Sequence, residues 1–320
     1  MAGKQFVSLC PGLGGRQPRL SPEEVWSVVG TAKGVWAQVD EAVVDCGHKP
    51  LSPYLAQPQA QPPEGIHAEL LRFAIAVALH EVLLERGASP YALLGHSLGH
   101  QAALACAGAF DVADSIRLLV ARSEVILRDA PPGGMTSLEV GADRARSLVA
   151  MIADPLLAVA CHNTPTRTVV SGPGPALTAL ESLADGLGVS ALRLSVPFAY
   201  HGPMMRGLVE PLREATAGVR QRPLRVPVIS TVTGRWCADD DDLLNELAVS
   251  VAKPVRFVEC VRQAQALGIR EFVEYGTKPL LANLVRHTVP HARTFHCLDA
   301  YTPGPTALRR VLDGLSPGAA

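Results

Sequence analysis

The pentapeptide Gly95-His96-Ser97-Leu98-Gly99 constrains this chain more than any other stretch. It stands between an apolar run of strand length, Tyr91-Ala92-Leu93-Leu94, and a small-residue helical stretch, Gln101-Ala102-Ala103-Leu104-Ala105. A strand that turns sharply into a helix needs glycine on both sides of the turn, where side chains would collide. Such an elbow pushes the Ser97 hydroxyl clear of the backbone and aims the first amides of the helix at a reacting carbonyl. No proline follows until Pro131, so the helix after the turn is uninterrupted. Gly-x-Ser-x-Gly also recurs by chance in glycine-rich chains, and the flanking pattern is what favours a nucleophile here.

With 48% hydrophobic and only 18% charged residues among 320, the chain can bury a large core, and one large domain with a subsidiary one is expected. A net charge of -1 gives no global attraction to nucleic acid, and no aromatic-basic stripe suggests a nucleic-acid platform. The seven cysteines are dispersed, odd in number and form no Cys-x-x-Cys pair, which reads as reduced, mostly buried thiols. Histidines and cysteines lack ligand spacing, so no metal is expected. No apolar run reaches membrane-spanning length, and the start leads into strand-like Phe6–Cys10 rather than a signal sequence; a soluble, cytoplasmic protein with no membrane partner is expected.

Along the chain, the strand Phe6–Cys10 runs into Pro11-Gly12-Leu13-Gly14-Gly15, a loop whose glycines let backbone amides approach a ligand. It lacks the lysine and hydroxyl residue of a phosphate loop. Helical patterns occupy Pro22 to Val44 and Ala68 to Arg86, the second apolar nearly all round and therefore buried. A helix over Ala113 to Arg128 ends before Gly133-Gly134. The rhythm then changes to strand, helix, strand, strand, helix, strand between Met135 and Val196, the order of a ferredoxin-like split unit. The resulting expectation is an α/β protein. A large α/β-hydrolase-like domain with a parallel sheet spans residues 1–132 and 197–320, and a small ferredoxin-like domain is inserted at 133–196.

A serine hydroxyl needs a nearby base at neutral pH, and histidine has the right intrinsic pKa. Of ten histidines, His96 lies inside the elbow, where geometry turns it away from the nucleophile and a role in fixing the turn is the better reading. His201 follows Val196-Pro197-Phe198-Ala199-Tyr200 and precedes Gly202-Pro203, a rigid loop suited to holding a ring across a cleft.

Several segments together resemble a known family. Cys10-Pro-Gly-Leu-Gly-Gly, the elbow, Arg122-Ser123, Asn163-Thr-Pro with Val169-Val-Ser-Gly172, and Phe198-Ala-Tyr-His201 come first. Ser230-Thr-Val-Thr-Gly234, Pro254-Val-Arg-Phe257 and Phe272-Val-Glu-Tyr-Gly276 follow. Their order is that of malonyl-CoA:acyl carrier protein transacylases and the acyltransferase domains of polyketide synthases, of a discrete, trans-acting type. The resemblance covers nearly the whole chain.

It implies a Ser97–His201 dyad, an acyl-serine intermediate, and ping-pong transfer to the phosphopantetheine thiol of an acyl carrier protein. No bound cofactor is implied beyond the pantetheine that CoA or the carrier brings. It further implies that the Lys253 carbonyl orients His201, that the backbone amides of Leu13 and Leu98 form the oxyanion hole, and that Arg122 receives the carboxylate of a malonyl-type donor. Departures from the family pattern bear on the substrate. Leu13 and Glu69 stand where glutamines are usual, and His100 replaces a glutamate. Glu69 would repel malonate unless Arg122 engages it, and it could instead pair with an amine on the acyl group. Phe198 and Tyr200 resemble the malonyl-selective form of their motif, with Tyr200 restricting an α-branch.

A malonyl-type donor is thus the first expectation. Carrier-to-carrier transfer of a larger, amine-bearing acyl group, an editing acyl hydrolase and an inactive docking subunit are the alternatives. Carrier proteins are acidic, and Arg206, Arg220, Arg222 and Arg225 are the candidate basic rim for them.

Overall fold

The computed structural model describes residues 5–12, 21–57, 64–298 and 301–315. Five strands, β1 (Phe6–Cys10), β2 (Ala92–Gly95), β7 (Val228–Ile229), β8 (Glu271–Glu274) and β9 (Arg293–His296), form a parallel sheet in the order β7-β2-β1-β8-β9. Every residue of β1, β2 and β8 is buried, as expected where helices cover both faces of a parallel sheet. Alternation along the strands then sends Phe6, Cys10, Leu93 and Val273 to one core and Val7, Leu9, Leu94 and Phe272 to the other. The first core is closed by the helix Gly65–Glu85, buried from Leu70 to Leu83 on nearly every side. The second is closed by the helices Phe257–Ala266 and Leu280–Thr288.

Between β2 and β7 the chain builds an antiparallel sheet from β3 (Gly134–Leu138), β4 (Ala158–Thr164), β5 (Arg167–Gly172) and β6 (Ala191–Arg193), ordered β4-β5-β3-β6. The helices Ala142–Ile152 and Gly174–Gly186 pack on one face around Leu138, Leu148, Val170, Leu177 and Leu180. That is the expected split βαββαβ arrangement. From the other face, Met135, Cys161 and Val169 join the core that holds Val255 and Phe257. Burying apolar side chains of both sheets in one cluster holds the small sheet over the carboxyl ends of the parallel strands.

Some local expectations differ from the structure. The helical pattern from Pro22 to Val44 is two helices, Pro22–Val29 and Lys33–Asp45. A capping box between Ser21 and Glu24 starts the first, and it ends at Gly30, where a Cβ would come within 2.7 Å of the Trp26 carbonyl. The final small-sheet strand stops at Arg193 rather than Val196. All seven cysteines are free thiols. Among the described residues, no helix is long and apolar enough to cross a membrane, and no group of three or more His, Cys, Asp or Glu side chains is gathered as metal ligands would be.

Candidate active site

The elbow forms where β2 ends and the helix Leu98–Cys106 begins. Ser97, at the junction, takes φ 55° and ψ -123°, a conformation costing a non-glycine residue about 1–3 kcal/mol. The flanking glycines are required by contact rather than by φ. A Cβ on Gly95 would lie 2.1 Å from the Gly99 carbonyl oxygen, and one on Gly99 would lie 1.9 Å from that of Cys10. Gly12 passes over the turn as closely, its Cβ position 2.6 Å from the His96 carbonyl oxygen. Thr231 ties the exit of β2, donating its hydroxyl to the Gly95 carbonyl at 2.8 Å.

Across the cleft, His201 Nε2 lies 2.7 Å from Ser97 Oγ. Its Nδ1 faces two carbonyl oxygens, Ser250 at 2.9 Å and Lys253 at 3.2 Å. Carbonyls only accept, so Nδ1 carries the proton and Nε2 is the acceptor for the Ser97 hydroxyl. The resemblance implies Lys253 alone, and the structure adds Ser250. Ser250 is the nearer partner because the helix Leu243–Ser250 ends there and leaves its last carbonyls without intrahelical donors. His201 itself has φ 63°, and its N–H donates to Val251 O at 2.6 Å. Burial pushes its pKa down to about 4, against the raising effect of the Ser250 bond, with His96 and Arg122 lowering it further. The imidazole is therefore a neutral acceptor at physiological pH.

Leu98 occupies the first position of the helix, where its N–H has no intrahelical acceptor. Leu13, the other expected oxyanion donor, lies outside the described residues.

Beside the dyad, Arg122 from the helix Val112–Asp129 meets Glu69 from the helix Gly65–Glu85, Nη1 to Oε2 at 3.4 Å. Ser123 Oγ donates to the same carboxylate oxygen at 2.8 Å. Arg122 thus already has a carboxylate neighbour from its own chain. Tyr200 is near both, within the influence of the Arg122 and Glu69 charges and with its ring centroid 6.4 Å from that of His201. Burial raises its hydroxyl pKa to about 12, with Arg122 lowering and Glu69 raising it. Phe198 packs edge-on against Tyr200 at 5.8 Å.

Two supporting contacts complete the surroundings: the hydrogen-bonded role expected for His96 finds its partner, and His100 gains one that the sequence does not indicate. His96 turns away from Ser97, and its Nε2 pairs with Asn163 Oδ1 at 2.8 Å, which ties the elbow to the small sheet. His100, in the first turn of the helix Leu98–Cys106, pairs with Glu246 at 2.7 Å, with both side chains buried. Burial, the largest single effect, raises the Glu246 pKa, but the His100 bond and charge together with a bond from Ser230 leave it below the usual value.

The proposed basic rim divides. Arg206 is exposed, a short way past His201 in the stretch Pro203–Leu208. Arg220, Arg222 and Arg225 are also exposed but do not reach the cleft. Arg222 and Arg225 donate their backbone N–H groups to Ala109 and Ala107, beyond the far end of the nine-residue helix that Ser97 starts. That end is roughly 13 Å from Ser97. The segment then enters β7 at the amino ends of the parallel strands, opposite the elbow, and Arg222 is paired with Asp111 at 2.6 Å.

The chain matches the acyl transferase domain family over residues 27–309. It is 36% identical over 227 residues to the non-reducing polyketide synthase adaA of Aspergillus niger, covering 68% of this chain and 13% of that protein. It is 34% identical over 216 residues to the mycoketide-CoA synthase of Mycobacterium tuberculosis, covering 68% and 5%. The chain thus spans only a small part of the curated relatives it matches. Among solved structures, the acyltransferase domain from module 8 of the salinomycin polyketide synthase superposes with a TM-score of 0.88 at 29% identity, over 97% of this chain and 74% of that one. The malonyl-CoA:acyl carrier protein transacylase of Xanthomonas oryzae pv. oryzae shares the fold with a TM-score of 0.87 at 23% identity, over 99% and 100%. A match across most of the chain, at this identity and with this superposition, places the chain in the acyl transferase domain family.

Proposed function

We propose that this protein moves an acyl group from a thioester of CoA or a carrier protein to the phosphopantetheine thiol of an acyl carrier protein, through an ester on Ser97. The observation that carries the reading is the 2.7 Å contact between Ser97 Oγ and a His201 ring whose other nitrogen is held by backbone carbonyls. In the first half-reaction Ser97 Oγ attacks the thioester carbonyl while His201 Nε2 takes its proton. The tetrahedral oxyanion meets the Leu98 N–H and the positive end of the helix. Collapse breaks the C–S bond, His201 returns the proton to the leaving thiolate, and acyl-Ser97 is left. The second half-reaction runs the same steps in reverse, with the carrier thiol as nucleophile.

Arg122 beside the dyad supports a donor with a polar end, malonyl or a near-isostere of it. The contact from Glu69 weakens the version in which a bare carboxylate is the sole partner of Arg122.

Intact mass after incubation with acyl-pantetheine thioesters tests the reading. An adduct of acyl mass is expected on the wild-type chain and none on Ser97→Ala; an adduct that persists in Ser97→Ala would reject the ester. His201→Ala should slow acylation about 10²- to 10⁴-fold. Because the His201 pKa is depressed, the wild-type acylation rate should hold as pH is lowered and fall only through about pH 4. A midpoint near 6.5 would show that the ring is not held as described.

A further inference from the structure

The Arg122–Glu69 pair is built for a particular end group, an inference that rests on the acyl-Ser97 reading above. Both side chains are largely buried, 12% and 15% exposed, so their charges are weakly screened. Glu69 Oε2 is occupied by the Ser123 hydroxyl and by one Arg122 nitrogen. Among the described residues, Glu69 Oε1 accepts no hydrogen bond, and the other N–H groups of Arg122 donate none. Among the described residues there is therefore, beside the dyad, an acceptor without a donor next to a donor without an acceptor, near Tyr200, with Arg72 acting on Glu69 through its charge alone.

A substrate carboxylate fits this arrangement poorly. Both its oxygens are acceptors, so one that binds Arg122 brings the other towards Glu69 Oε1 with no proton between them. An ammonium has the opposite fault, since it satisfies Glu69 while approaching a guanidinium. An apolar end leaves Glu69 Oε1 and the remaining Arg122 N–H groups desolvated without hydrogen-bond partners. A primary carboxamide is complementary, presenting one acceptor and one donor side by side. We propose that the acyl group carried on Ser97 ends in such a neutral donor–acceptor pair, with its carbonyl oxygen on Arg122 and its N–H on Glu69.

The test compares four pantetheine thioesters of similar size: malonamyl, malonyl, β-alanyl and butyryl. The readout is the rate of Ser97 adduct formation by intact mass. Labelling by a fluorophosphonate counts the folded, reactive molecules in each sample. The wild-type chain should take malonamyl at least about tenfold faster than the other three. Glu69→Gln, which keeps the shape and removes the charge, should raise the malonyl rate about tenfold or more and reverse the preference. Malonyl, β-alanyl or butyryl matching malonamyl on the wild-type chain would overturn the inference, as would a malonamyl-to-malonyl ratio unchanged by Glu69→Gln. If none of the four acylates Ser97 while the fluorophosphonate does, the thioester reading itself fails and takes this inference with it.

Discussion

Ser97 and His201 hold φ 55° and 63°, and among the described residues Ala153 is the only other non-glycine residue with positive φ. Strain is thus concentrated on the two side chains that meet at 2.7 Å. Left-handed backbone costs glycine nothing. Ser97→Gly should therefore raise the unfolding free energy by roughly 1 kcal/mol while abolishing acylation, read as a higher urea midpoint at unchanged slope. A lower midpoint would mean the elbow is not strained. Ser97 was legible in the sequence because its surroundings are local: the glycines flank it, and their removal would bring backbone atoms into collision. Ser250 was not, since its contribution is a carbonyl that every residue type carries, and only the end of the helix Leu243–Ser250 makes it available. Glu69 was legible as an anomaly, but its bond to Ser123 depended on how two helices far apart in sequence pack.

Between elements, the His100–Glu246 pair joins the helix that begins at Ser97 to the helix whose last carbonyl holds His201. One buried contact therefore links the two helices against which Ser97 and His201 are held. Glu246→Ala removes the acceptor and leaves a buried imidazole facing a void, and it should cost about 3 kcal/mol of stability. Glu246→Gln keeps an acceptor oxygen and should cost much less. At a temperature where both variants stay folded, Ser97 acylation should follow the same order; equal rates would reduce the pair to a structural tie. No periodicity in the sequence announces such a contact, because His100 and Glu246 are 146 positions apart. The order of elements in the small sheet was readable, since it rests on local alternation and turns. The break at Gly30 was not, because it depends on how closely the chain folds back on Trp26.

At the scale of the whole molecule, the parallel strands have two unlike ends, and their direction decides what a surface arginine can touch. Arg220, Arg222 and Arg225 are near one another in sequence, but the strand they lead into starts at the end away from Ser97. The sequence pattern shows that a strand follows; it does not show which way that strand points relative to the elbow. Burial also sets how the molecule responds to acid. His80 and His201 both have pKa values pushed down to about 4 by burial, whereas burial raises Glu274 to about 7. Between about pH 4.5 and 6.5, unfolding lets these two histidines, and His67 and His96, whose pKa values burial also lowers, bind protons and makes Glu274 release one, a net uptake. Stability should then rise with pH across that window, on the order of 1 kcal/mol per pH unit, and a flat profile of urea midpoints would contradict it. His80→Gln should make the slope shallower.

The carbonyls that hold His201 also have a genetic consequence. An acidic side chain in that place could be lost by a single codon change and would titrate with the medium. A main-chain oxygen does neither, so substitutions at Ser250 and Lys253 leave the contact in place as long as the helix ends where it does. What orients the His201 ring is encoded by chain geometry rather than by the side chains at these two positions.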